Sequence, residues 1–287
     1  MYTQTDTPPR TTLTPRAPLA PVSPLPRPVS GRLPGLESVS PWGRQDVWLQ
    51  EALLGPYSED ILEYLDLARR TGGPVLDLGS GAGRLAVPFA RYGIQVNAVD
   101  QDARSLERLR AWALRIRPGV RRFIRTTRAD LGHLRLDCSY QLALLAGAMV
   151  SAVPPDARPG MLREVATHLG DGGALALDFT AHEPSGLARH PDRAWRFPVP
   201  RFDGVKERAV ARQVFDLERM TEHVTYWTER SGNTARRRST ATTLKWLVDQ
   251  DELRSEVEAA GLRVTECRQH RLDRRTLSVL LVCRTGK

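Results

Sequence analysis

Residues 75–85, V-L-D-L-G-S-G-A-G-R-L, constrain this chain more than any other stretch. Val75, Leu76, Asp77 and Leu78 have strand character, Gly79, Gly81 and Gly83 follow at alternate positions, and Leu85, Val87, Phe89 and Ala90 continue a helical pattern. A strand, a tight turn and a helix start are predicted in that order. Glycines at such positions permit positive φ and let a ligand lie against main-chain N–H groups with no Cβ in the way. A nucleoside-type cofactor is implied.

Three carboxylates refine that reading. Asp77 stands two residues before the first glycine, where dinucleotide-binding turns keep an apolar residue, and it can accept from a cationic amine near the turn. Asp100 closes the apolar run 96–99, a second strand, and a carboxylate there can take both hydroxyls of a ribose. Asp130 follows a third strand at 123–127, where it can meet an adenine amino group.

Taken in order, V-L-D-L-G-S-G-A-G-R, A-V-D-Q-D, A-D-L and L-L-A-G-A-M resemble a class I S-adenosylmethionine-dependent methyltransferase over residues 74–284. The resemblance implies an α/β fold: a Rossmann-like, seven-stranded, mostly parallel sheet with helices on both faces. It implies S-adenosyl-L-methionine as cofactor and S-adenosyl-L-homocysteine as product. Asp77 would face the methionine end, Asp100 the ribose and Asp130 the adenine. Gly79, Ser80, Gly81, Gly83, Arg84, Gln101, Leu131, Ala146 and Gly147 complete the implied cofactor-binding set. A doubly wound domain for some other nucleotide is the alternative.

At 287 residues and 41% hydrophobic content, one sizeable domain with additions is expected. No apolar run approaches membrane length and the N-terminus lacks a signal-type apolar block, so a cytoplasmic protein with no membrane partner is the expectation. Cys138, Cys267 and Cys283 have no paired spacing and are expected to be reduced, mostly buried thiols. The charge of +9 is concentrated between Arg104 and Arg128, where nine arginines meet one glutamate. Such a stripe can face nucleic acid. It falls on the flank of the expected sheet, away from the cofactor edge, and so reads as a solvated face.

Along the chain, residues 1–40 are proline-rich and expected to be a disordered tail. Residues 41–73 form a helical lid, its first helix carrying Trp42, Val47, Trp48, Leu49 and Leu53 and its second capped by Ser58. The cofactor-binding core spans 74–180, with a helix after Asp102 carrying Leu106, Leu109 and Leu114. Residues 181–248 show two-residue alternation at 210–217, 224–227 and 242–248 and no helical period, which predicts an antiparallel β insertion. Asp249 and Glu252 open a final helix, and strands at 262–265 and 276–283 form a closing hairpin within 249–287.

Deoxysugar N-methyltransferases and relatives of glycine N-methyltransferase are similar in carrying added strands there, which implies that the insertion walls the acceptor pocket. Tyr57, His182 and Glu183 are the catalytic candidates, and Trp42, Trp48, Met149, His223 and Tyr226 the substrate-facing ones. Motifs for base-amino, glutamine and pyrimidine-carbon methylation are missing, as is a metal-ligand set. Elimination favours a small-molecule or peptide acceptor, nitrogen ahead of oxygen. A nucleic-acid methyltransferase and a silent cofactor-binding partner protein are the other classes, and oligomeric state has no signal in the sequence.

Overall fold

In a computed structural model of the chain, residues 59–115, 118–199, 206–231, 236–272 and 274–286 are described. The expected tail, the first lid helix and the candidates Trp42, Trp48 and Tyr57 lie outside them.

Helix α1 (Glu59–Thr71) precedes strand β1 (Val75–Leu78), helix α2 (Ala86–Arg91), β2 (Val96–Asp100), α3 (Ala103–Arg115), α4 (Pro118–Arg121) and β3 (Ile124–Arg128). Then come β4 (Tyr140–Leu145), α5 (Arg158–Thr167), β5 (Leu169–His182) and a short α6 (Pro184–Arg189). Strands β6 (Asp192–Val199), β7 (Lys206–Asp216), β8 (Thr221–Ser231) and β9 (Arg236–Trp246) follow, and α7 (Gln250–Ala259), β10 (Leu262–Arg271) and β11 (Thr276–Thr285) close the fold.

Seven strands form one sheet in the order β10-β11-β5-β4-β1-β2-β3, with β11 antiparallel to both neighbours and the β1–β5 pairings all parallel. The chain walks outward from β1 to β3, then returns to lay β4 on the other side of β1. That reversal opens a crevice beyond the carboxyl ends of β1 and β4, where open α/β sheets take their ligands. Alternation divides the strand side chains between two faces. Leu76, Leu78, Ala143 and Leu145 pack with Leu162 and Val165 of α5 and Leu253 and Val257 of α7. Val75, Leu142 and Leu144 pack instead with Tyr64 and Leu65 of α1, Phe89 of α2 and Leu109 of α3. Asp77 shares the face of Val75, so this carboxylate is turned toward α1–α3.

Strands β6 to β9 make a second, wholly antiparallel sheet in chain order. The expected insertion is present, with one strand more than the alternation indicated. Strand β6 was hidden by Pro198 and three charged residues, a composition tolerated because it lies at the sheet edge. Helix α6 is six residues long, too short to register a period. Two further details depart from expectation. Leu114 is 62% exposed because the buried stripe of α3 runs through Ser105, Leu106, Leu109 and Ala113. Cys138 and Cys267 are exposed, and only Cys283 is buried.

Candidate active site

The three turn glycines all have positive φ, but their surroundings differ. A Cβ on Gly79 would fall 2.5 Å from the Met149 side chain, which therefore lies across the turn, and one on Gly83 would fall 2.8 Å from Leu109 of α3. A Cβ on Gly81 would meet nothing within 4 Å. Gly79 and Gly83 thus serve packing, and Gly81 borders open space.

Around that space stand the strand-end carboxylates. Asp100 accepts from the Gly81 N–H and the Asp102 N–H, both at 2.8 Å, and so fixes the turn as well as facing the crevice. Burial pushes its carboxyl up, against the pull of those N–H groups. Asp77 is 3% exposed. Burial raises its carboxyl to about 7, Arg84 works against that, Asp100 adds to it and the Ala86 N–H lowers it. Its Oδ2, like the Ser80 hydroxyl, is buried with no hydrogen-bond partner among the described residues. A buried carboxylate oxygen left in this way calls for a cation.

Helix α1 is tied to the same edge at two points. Arg84 donates to both oxygens of Asp60, at 2.6 and 2.8 Å. Tyr64 donates its hydroxyl to Asp178 of β5 at 2.6 Å, while Asp178 accepts from the Gly147 and Ala148 N–H groups at 2.7 and 2.9 Å. Burial pushes both Tyr64 and Asp178 above their ordinary values. Asp178 therefore holds the loop after β4 in shape, including Ala148 at φ 58. Sequence reasoning missed it, although a single aspartate in the apolar run A-L-A-L-D-F was a signal.

Beyond Ala148 a cavity of about 130 Å³ opens between the two sheets. His182 at the end of β5 lines it together with Arg193, Gln213, Glu222 and Lys245, one from each strand of the second sheet. The His182 ring meets Phe215 edge-on, centroids 5.0 Å apart. Its Nε2 lies 4.0 Å from Glu222 Oε2, and the two side chains are 5% and 13% exposed. Gln213 donates to Glu222 Oε1 at 2.7 Å and accepts from Arg193 Nε. Glu222 has no sequence signature, being one residue of an alternating strand.

The remaining candidates are dispersed. Glu183 is exposed at the start of α6, where it accepts from the Ser185 hydroxyl, and it does not line the cavity. His223 follows Glu222 on β8 and so points to the opposite face, 3.5 Å from the Thr221 hydroxyl. Tyr226 shares the Glu222 face four residues along, outside the cavity lining. Asp130 caps the short turn at Leu131–His133 by accepting from the Gly132 N–H, with Leu131 packed on the core. The Gln101 carbonyl accepts from Arg128. Ala146 is buried, and Gly147 has φ 76. In the arginine stripe, Arg110 bonds Thr126 and Arg125 pairs with Asp137.

A family described as Methyltransferase domain matches residues 75–173. Among curated proteins, the cypemycin N-terminal methyltransferase of a Streptomyces species is 28% identical over 131 residues, 45% of this chain. The chain spans about half the length of that relative, 51%. Streptomyces venezuelae DesVI superposes with a TM-score of 0.68 at 18% identity, covering 83% of this chain and 95% of its own. An S-adenosylmethionine-bound amino pentose methyltransferase from Micromonospora echinaspora, involved in calicheamicin biosynthesis, gives 0.61 at 19% identity, with 82% and 91% covered. Both likenesses establish the fold. The residues present fit S-adenosylmethionine: the buried Asp77 oxygen would accept an ammonium, and the open space at Gly81 would admit the cofactor. Residues 75–173 match a methyltransferase domain, and the chain is similar in fold to S-adenosylmethionine-dependent methyltransferases.

Proposed function

We propose that this protein N-methylates an amine of a natural product, whether a small molecule, an aminosugar or the terminal amine of a ribosomal peptide. The observation that carries the reading is the cavity beyond Ala148, which begins where the cofactor edge ends and is walled by β6–β9. In this proposal residues 181–248 are the acceptor-binding unit. Relatives that act on an N-terminus and on an amino pentose support it.

Bound S-adenosylmethionine supplies an electrophilic methyl on a sulfonium, displaced in line. The protein's part is alignment and exclusion of water, which together can supply roughly 7–11 kcal/mol of the barrier. Asp77 would hold the cofactor's ammonium and Asp100 its ribose. Tyr64 and Asp178 keep the Gly147–Ala148 loop in the shape that separates cofactor crevice from acceptor cavity. Trp246 and Leu247 line the same cavity and help to keep water from the acceptor. A second reading, O-methylation of a small metabolite, is favoured by one observation: His182 beside Glu222 can act as a base for a hydroxyl.

The test is transfer of a ¹³C-labelled methyl from S-adenosylmethionine to a panel of aminosugars, small amines and peptides, with product NMR. A methyl bonded to nitrogen supports the proposal, and one bonded to oxygen replaces it with the second reading.

A further inference from the structure

We infer that the gap between His182 Nε2 and Glu222 Oε2 is the seat of the acceptor's ammonium group, with Glu222 as its countercharge and His182 Nε2 as the acceptor of its proton. The inference rests on the reading of this cavity as the acceptor site. The two atoms are 4.0 Å apart. A single nitrogen at an ordinary hydrogen-bond distance of about 2.9 Å from each closes a triangle on that base. Neither side chain is free to drift: the His182 ring packs against Phe215, and Glu222 Oε1 is held by Gln213, itself held by Arg193. Only Oε2 of the carboxylate is turned to the histidine.

The charge pattern of the walls confines the seat. Arg193 and Lys245 bring positive charge to the cavity from β6 and β9, and Lys245 stands directly across the strand pair from Glu222. Among the described residues, Glu222 is the one carboxylate of the cavity lining, so an ammonium finds its countercharge there and meets like charge at Arg193 and Lys245. The histidine comes from the main sheet and the glutamate from the second, so the seat exists only where the two meet. The second sheet thus contributes the countercharge to a seat that the main sheet completes.

Chemically, one N–H bond of the acceptor ammonium breaks and its electron pair stays on nitrogen. The proton goes to His182 Nε2, and the resulting imidazolium is stabilised by the Glu222 carboxylate. The bared lone pair then forms the N–C bond as the C–S bond breaks, and the electrons of that bond leave with sulfur.

The experiment uses the full chain and two probes of equal shape, cyclohexylammonium and cyclohexanol, followed by NMR titration, with S-adenosylmethionine binding measured calorimetrically in every sample. Wild type binds cyclohexylammonium in preference to cyclohexanol. Glu222→Gln weakens the cation by roughly tenfold and leaves the alcohol unchanged. Glu222→Asp, which keeps the charge, restores most of the preference and covers the case in which the glutamine variant does not fold. In mildly alkaline buffer, the His182 ring-nitrogen signals of wild type move toward imidazolium as cyclohexylammonium binds. Equal binding of both probes, a preference that survives in Glu222→Gln, or unmoved His182 signals overturns the inference while methyl transfer to amines stands. A wild-type chain that does not bind S-adenosylmethionine removes both readings together.

Discussion

Cofactor binding should release a proton in weakly acidic solution, and Asp77 should be its source. The carboxyl is raised from 3.8 to about 7, chiefly by burial. In the apo protein it keeps a proton that the unfolded chain has already lost, so this group's contribution to apo stability falls as pH rises from about 4 to about 7. A cation seated at the buried Oδ2 reverses the preference by favouring the carboxylate. At pH 6, a group titrating near 7 is about nine-tenths protonated, so binding should expel roughly 0.9 proton per site. An α-ammonium titrating near 8 stays charged at that pH and adds little to the count. Apparent affinity should rise roughly ninefold from about pH 5 to 6 and roughly fivefold from 6 to 7, then level off. Calorimetry at pH 6 in two buffers of different ionisation enthalpy counts the proton, and Asp77→Asn should abolish both the release and the slope. Binding without proton release in wild type, or the same release in the variant, would refute the assignment of Asp77 to the cofactor's ammonium.

Asp100→Ala should weaken S-adenosylmethionine binding by roughly 1–3 kcal/mol, since it strands ribose hydroxyls and loosens the Gly81 N–H; an unchanged dissociation constant removes Asp100 from the site. Asp178→Ala deprives Tyr64, Gly147 and Ala148 of their acceptor and should cost roughly 3–5 kcal/mol in denaturant unfolding, whereas Tyr64→Phe, losing one bond, should cost roughly 1–2 kcal/mol. Equal costs would show that the Gly147 and Ala148 bonds contribute nothing. Gly83→Ala, at φ 95 and pressed against Leu109, should lose stability first, while Gly81→Ala, at φ 54 in open space, should stay within roughly 1–2 kcal/mol of wild type yet bind cofactor poorly. The reverse ranking would mean that the two glycines have exchanged roles.

The glycine turn and the strand ends around it were legible because their signals are local. V-L-D-L-G-S-G-A-G-R carries the strand through its turn to the helix that begins at Ala86, and Asp100 sits at a strand end that an apolar run marks plainly. Which glycine serves packing and which faces the ligand was not legible, because Leu109 and Met149 come from other elements. The acceptor half depends on register between two sheets. Nothing local distinguishes Glu222 from its neighbours on β8, and a shift of one residue would have turned His223 into the cavity instead. Glu183, adjacent to His182, was a reasonable candidate until the chain turned into α6 and carried it outside.

On this reading the glycine turn and the cavity beyond Ala148 are two halves of one site. A crystal structure of the full chain with S-adenosylhomocysteine tests it most directly. The expected result is the ribose on Asp100, the amino group on Asp77, and the sulfur directed past Ala148 toward His182 and Glu222. Density elsewhere, or a sulfur facing away from that cavity, would contradict it.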